Sequence, residues 1–213
     1  MKQLPLVYAC FRDPCMIESI FKHKAILSKK ELLKRGIVFH QNTSNRDVEK
    51  ILKTEDNVTL YIDILFQAQF MYGGPRGPRF LFDNNLLYKG GVFILPTDQK
   101  AYVKDNGEVL YEQFERDKHF SREAKDTLIE RCIKSDVHIL PEVHIPKQVE
   151  FRWLRGVLVN PVDYKEYTQR KELEDIVIIE VQKPKEESRG SIPDAICFQE
   201  AYQSYLKRRD FEN

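Results

Sequence analysis

The stretch KSDVHILPEVHIPKQVEFRWLRGVLV, Lys134 to Val159, decides how the rest of the chain is read. Val137, Ile139, Val143 and Ile145 carry an apolar side, with His138, Glu142 and His144 between or beside them. Alternation with a period of two predicts a half-buried strand, one side on a core and the other facing out. Pro141 and Pro146 cannot donate a ladder hydrogen bond, so the strand is expected at a sheet edge or broken by a bulge. An edge offers Glu142 to a cleft, although a plain solvent-facing strand carboxylate fits the same pattern. His138, Glu142 and His144 are separated by even numbers of residues and share one face of a regular strand. Pro141 interrupts that register, and no metal site is expected.

Working outward, 213 residues suit one domain with a substantial core, and 1–213 is read as that single domain. The net charge of +1 gives no global field that would draw in a polyanion, so a nucleic-acid surface would have to be local. Cys10, Cys15, Cys132 and Cys197 form no CxxC pair and read as free thiols in a reducing compartment. The N-terminal apolar run is too short for a leader, and no run reaches the roughly 18 residues of a membrane span. A cytoplasmic protein without a membrane partner is expected.

Along the chain, Leu4–Tyr8 reads as a first strand, and Asp13-Pro14 as the start of a short helix that delivers His23. Ser28-Lys-Lys-Glu31 resembles a capping box, with Gly36 as the stop. The polar turn QNTSN, Gln41–Asn45, leads to Arg46, and Val48–Leu52 has the spacing of one more helical turn. Thr59–Phe66 is a β-branched and aromatic strand. YGGPRGPRF, Tyr72–Phe80, is expected to be a stiff loop and not a central strand, holding Arg76 and Arg79 outward. Leu86–Leu95 resumes as strand, interrupted by Gly90-Gly91, and Asp105-Asn106-Gly107 marks a tight turn. Phe120–Ile133 reads as a charged helix capped by Ser121. Arg155–Val159 is taken as the partner of the focal strand, Asp175–Val181 as another buried strand, and Pro193–Arg209 as an amphipathic helix. Early helices, central strands and a closing helix predict an α+β fold with a mixed, mostly antiparallel sheet. No GxGxxG or GxxxxGK motif is present.

Three blocks in order resemble the DarT-type ADP-ribosyltransferases, toxins that modify bases in single-stranded DNA using NAD. Phe11–Ser28, FRDPCMIESIFKHKAILS, has the apolar rhythm of the segment after that family's first strand. Pro75-Arg76-Gly77-Pro78 is similar to its PRSP turn, and Pro141–Pro146, PEVHIP, to the AEFLVP-like pattern that carries its catalytic glutamate. The resemblance covers residues 6 to 160. It implies an ADP-ribosyltransferase-like domain that is a divergent member, with Glu142 and Arg46 as catalytic residues and NAD as substrate. Tyr8, Cys10, His40, Arg46 and Tyr72 would hold NAD. It further implies a toxin or phage-defence effector acting on single-stranded DNA or RNA, with an antitoxin or reversing hydrolase as partner. One departure stands out. The family's first strand ends in a YHxT-like motif whose histidine meets the nicotinamide-side ribose, whereas this chain has Tyr8-Ala9-Cys10-Phe11. His40 or His23 would have to substitute, or NAD would be held differently or lost.

The chemistry suits these residue types. Breaking the bond between ribose and cationic nicotinamide passes through an oxocarbenium-like transition state. A carboxylate stabilises that charge and helps deprotonate the attacking base, which is the role read for Glu142, or for Asp136 if the register slips. Arginine pairs two pyrophosphate oxygens with its planar fork, which suits Arg46. Arg76 and Arg79 would track a nucleic-acid backbone, with Tyr72 or Phe80 stacking on bases, and Lys125, Arg131 and Lys134 would add a basic helix face. Two rivals remain. Asp175, Glu180 and Lys183 resemble the D…ExK run of magnesium-dependent nucleases, although Gln182 stands where that run has its lysine. A non-enzymatic module that binds nucleic acid or a protein partner through the Gly-Pro-Arg segment is the other.

Overall fold

The computed structural model describes residues 6–11, 14–37, 48–62, 76–134, 141–181 and 200–207. Its strands are β1 (Leu6–Phe11), β2 (Ala25–Leu27), β3 (Asn57–Ile62), β4 (Arg76–Phe82), β5 (Phe93–Leu95), β6 (Glu142–Pro146), β7 (Gln148–Glu150), β8 (Leu154–Val159) and β9 (Val177–Glu180). The helices are α1 (Pro14–His23), α2 (Lys29–Lys34), α3 (48–51), α4 (Tyr111–Asp117), α5 (Arg122–Lys134), α6 (Pro161–Thr168) and α7 (200–207). Short 3-10 turns cover Asn84–Tyr88 and Gln99–Tyr102.

Local chemistry accounts for many of these boundaries. The Ser28 hydroxyl accepts from the Glu31 N–H at 3.3 Å, and Gly36 at φ +65° ends α2 in a conformation that costs glycine little. Ser121 caps α5 in the same way, accepting from the Ala124 N–H at 3.1 Å. The Asp-Asn-Gly turn closes through the Gly107 N–H to the Lys104 carbonyl at 2.8 Å, between bridged Val103 and Val109.

The strands join into one seven-stranded sheet in the order β5-β6-β3-β1-β4-β8-β9, with β2 and β7 forming a separate pair. All neighbours are antiparallel except β8 and β9. The expected mixed, mostly antiparallel α+β fold is therefore the observed one. One sheet face carries the main core, where Leu60, Ile62, Phe80, Phe82, Val143 and Ile145 meet Ile20 and Phe21 of α1, Leu128 and Ile129 of α5, and Tyr167 of α6. Each such side chain, fully buried, contributes roughly 1.5–3 kcal/mol. The other face is covered at one end by Ala201, Tyr202 and Tyr205 of α7. At the opposite end Val48, Leu52, Phe93, Leu95, Tyr102 and Phe114 form a smaller apolar cluster.

Several expectations are corrected. The focal strand β6 is not at an edge, because it lies between β5 and β3. Pro141 stands just before it and only accepts, from the Ile62 N–H at 3.0 Å. Pro146 is its last residue, opposite Asn57. Neither proline is asked to donate inside the ladder. β8 does not pair with β6 but with β4 and β9. Arg76–Phe80 is not a loop but the first part of β4, between β1 and β8. Pro78 is tolerated because the β1–β4 register shifts between Ala9 and Phe11, and the β4–β8 pairs begin only at Arg79. Leu86 and Leu87 belong to a 3-10 turn capped by Asp83, and only Phe93–Leu95 of that run is strand. Val177–Glu180 is an edge strand, half-buried at its ends. Of the expected C-terminal helix, 200–207 is described and buries Ala201, Tyr202 and Tyr205 as its periodicity predicts.

Candidate functional site

Strand pairing sets the site. Leu95 and Tyr61 lie opposite Glu142, while Phe93 and Thr59 lie opposite His144. Glu142 and His144 thus share the sheet face that carries the smaller apolar cluster, as their even spacing predicts. That face is covered, so Glu142 is 1% exposed and His144 0%.

Two donors converge on one carboxylate oxygen. Glu142 Oε2 accepts the Gln99 backbone N–H at 3.0 Å and lies 3.1 Å from His144 Nε2. Gln99 is itself fixed, its side-chain oxygen accepting from the Thr54 hydroxyl at 2.7 Å. The Asp98 carboxylate accepts from the Lys100 N–H and shapes the turn that delivers Gln99. The His144 ring is stacked on Phe93 at 4.6 Å between centroids and 3° between planes. Phe93 touches Phe120, which is 55% exposed and connects this buried cluster to the surface. Residue 119 bridges to Ile94 on the outer side of β5, which brings the start of α5 beside the site.

Burial pushes the Glu142 carboxyl above the ordinary carboxylate range. The hydrogen bonds from His144 and the Gln99 N–H pull it back, and the Asp98 charge pushes it further up. Tyr102, whose hydroxyl donates to Asp117 at 3.0 Å, is also raised, first by burial and then by that carboxylate. A carboxylate kept dry, hydrogen-bonded on one oxygen and shifted toward neutrality is suited to charge stabilisation or proton acceptance.

The other candidates fall in different places. Arg46, His40, Tyr72, Asp136, His138 and Lys183 lie outside the described residues. Tyr8 and Cys10 are on β1, with Tyr8 opposite Phe80, and Arg76 opens β4 opposite Phe11. The Lys125 ammonium is buried and donates to the Leu87 carbonyl at 2.6 Å, with burial lowering its pKa. It does not present its charge to a nucleic acid, which corrects the expectation for it. Arg79 at 2% exposure and Phe80 at 0% are likewise buried on β4. Arg131 and Lys134 are exposed on α5, with Lys134 3.7 Å from Glu130. Arg131 helps line a shallow groove of about 340 Å³ with His119, Ser121, Glu123 and Thr127. His23 Nδ1 donates to the Ser19 carbonyl on its own helix at 2.9 Å. Asp175 precedes β9 and Glu180 ends it, so the two acids of the nuclease reading sit at opposite ends of the strand. Sequence reasoning does not single out Gln99, Thr54, Phe93 or Phe120.

No family model matches the sequence, and no curated protein matches it either. Solved structures do match in shape. DarT of Thermus sp. 2.9 in complex with NAD+ superposes with a TM-score of 0.51 at 10% identity, over 84% of this chain and 96% of that one. The fold is DarT-like. The same DarT in complex with ADP-ribosylated single-stranded DNA gives a TM-score of 0.52 at 11% identity, over 84% and 96%. DarTG of Thermosipho africanus in complex with ADP-ribose matches at 14% identity and a TM-score of 0.49, and the chain spans only 50% of its length. Among the described residues, no helix of this DarT-like fold is long and apolar enough to cross a membrane.

Proposed function

We propose that this chain is a divergent DarT-like ADP-ribosyltransferase that takes NAD as substrate and transfers ADP-ribose to a base in single-stranded DNA or RNA. The observation that carries the reading is the fold match along nearly the whole length of a DarT that holds NAD+ in one structure and ADP-ribosylated single-stranded DNA in another. The buried carboxylate on β6 supports it from the chemical side. Glu142 accepts a hydrogen bond from the ribose 2′-hydroxyl and stabilises the positive charge that grows at C1′ as the bond to nicotinamide breaks. The bonding electrons leave with the nicotinamide nitrogen, so no general acid is needed. A base nitrogen or oxygen then bonds to C1′, and its proton passes to Glu142 or to water.

Glu142 is 1% exposed, so it meets a ribose only when its cover opens locally. Substrate binding and that opening are one event in this reading. Arg46 holds the pyrophosphate, and the exposed Arg131 and Lys134 lead the nucleic acid toward the site. A toxin or defence role, with an antitoxin or reversing hydrolase as partner and a cytoplasmic setting, belongs to the same proposal.

The test is incubation of the purified protein with labelled NAD and, separately, single-stranded DNA and RNA. Label on one nucleic acid that disappears in Glu142→Ala is the expected result. Absence of both NAD binding and transfer would overturn the proposal and leave a nucleic-acid-binding module as the better description.

A further inference from the structure

Glu142 has one committed oxygen and one open one. Oε2 receives both the Gln99 N–H and the His144 ring nitrogen, at 3.0 and 3.1 Å, while Oε1 makes no hydrogen bond among the described residues. His144 is fully buried and its ring plane is set by the Phe93 stack. Its other ring nitrogen, Nδ1, has no hydrogen-bond partner among the described residues. These facts assign the proton. An imidazolium would leave a buried N–H at Nδ1 unsatisfied, and so would the tautomer protonated at Nδ1. Buried orphan N–H groups are rare and costly. The neutral ring protonated at Nε2 leaves only a bare acceptor at Nδ1 and donates its single N–H to Oε2.

We infer that His144 is a positioning residue: as a neutral Nε2–H donor it locks Oε2 of Glu142, favours the carboxylate over the acid in its dry setting, and leaves Oε1 free for the substrate. The catalytic side of this inference rests on the ADP-ribosyltransferase reading; the pairing itself does not. The AEFLVP-like pattern that PEVHIP resembles offers no such donor, since it has leucine two residues after its glutamate. Other groups also face the pair. Tyr61 comes from β3, and Asp98 and Tyr102 come from the Gln99 turn. Asp117 and Lys118 sit at the end of α4, with the Lys118 ammonium 5.4 Å from the Phe93 ring centre. All of these remain in place when only residue 144 is changed.

Three measurements test the inference. In the unmodified protein, long-range nitrogen–proton spectra should show His144 neutral and protonated at Nε2 at pH 7. An imidazolium or an Nδ1–H ring would overturn the inference without any variant having to fold. In His144→Phe, which keeps a ring for the Phe93 stack but has no donor, carbon-13 titration of Glu142 should move to higher pH. An unchanged titration would overturn it. In the transfer assay the acid limb of His144→Phe should move to higher pH, with a loss of about 10- to 100-fold at neutral pH, the size expected for one hydrogen bond to a charged group. His144→Gln, which restores an N–H, should recover most of it. A loss that is equal at every pH and not recovered by glutamine would mean a merely structural role and refute positioning. If both spectroscopic results hold and the unmodified protein transfers nothing, the ADP-ribosyltransferase reading falls and the His144–Glu142 pairing stands.

Discussion

Glu142→Gln separates catalysis from stability, and the two effects run in opposite directions. Glutamine keeps the volume of the side chain, and its carbonyl oxygen can accept from the Gln99 N–H and His144 where Oε2 does now. What is lost is the charge. Burial holds the folded-state carboxyl above its ordinary value of 4.5, while the unfolded chain keeps that value. Between 4.5 and the raised folded value, the folded state therefore binds more protons than the unfolded state. Stability contributed by this group is fully present below the ordinary value and declines as pH rises through the folded one. Glutamine does not titrate, so the melting temperature of Glu142→Gln relative to the parent should climb across that window. For a chain of this size the climb is about 3 to 6 °C per pH unit. Transfer of ADP-ribose should fall by about 100-fold or more, the scale seen when transition-state charge stabilisation is removed. Calorimetry from pH 4.5 upward, with labelled-NAD transfer on the same samples, reads both. A melting difference that stays flat with pH would refute the dry-carboxylate argument, and an active variant would remove Glu142 from the chemistry.

Other outcomes follow from the same structure. A methyl group added in Gly156→Ala would lie 2.8 and 2.9 Å from Tyr205 ring carbons and 3.3 Å from the Val177 carbonyl. It should lower stability by about 1–3 kcal/mol in urea unfolding, and an unchanged midpoint would show that α7 moves freely on the sheet. Arg46→Ala should weaken NAD binding in calorimetric titration, and unchanged affinity would take Arg46 out of the site. Arg131→Glu with Lys134→Glu should reduce affinity for single-stranded DNA and flatten its salt dependence by about 1 per lost phosphate contact. Lys125→Met should leave that affinity alone, because the amine is tied to the Leu87 carbonyl inside the fold.

What the sequence revealed and what it hid divide along the range of the interactions involved. Ser28, Gly36, Ser121 and the Asp-Asn-Gly turn were legible because a cap or turn is settled within four residues. The shared face of Glu142 and His144 was legible for the same reason, since strand parity is local. Whether β6 stood at an edge was not, because its neighbours β5 and β3 come from far earlier in the chain. Pro78 in a central strand was misread because its tolerance depends on a register shift in β1, a different strand. Lys125 looked like part of a solvated helix face, and nothing near it in sequence announces that the Leu87 carbonyl waits for its amine. The second donor to Glu142 is a backbone N–H at Gln99, a group that every residue but proline has and that leaves no mark in the sequence.

The place of β6 in the sheet bears on when an active molecule can exist. β5 is synthesised well before β6, yet among the described strands it pairs only with β6, which slots between it and β3. Until residue 146 has left the ribosome, the nascent chain can pair β1 with β3 and β4 but, among the described strands, none joins β5 to them. Such late, long-range closure is slow compared with local folding. The strand bearing the carboxylate is thus the keystone of its own site. For a chain proposed to modify nucleic acids, synthesis and competence are separated in time, and a truncated product ending before Glu142 would lack the carboxylate that the proposal requires.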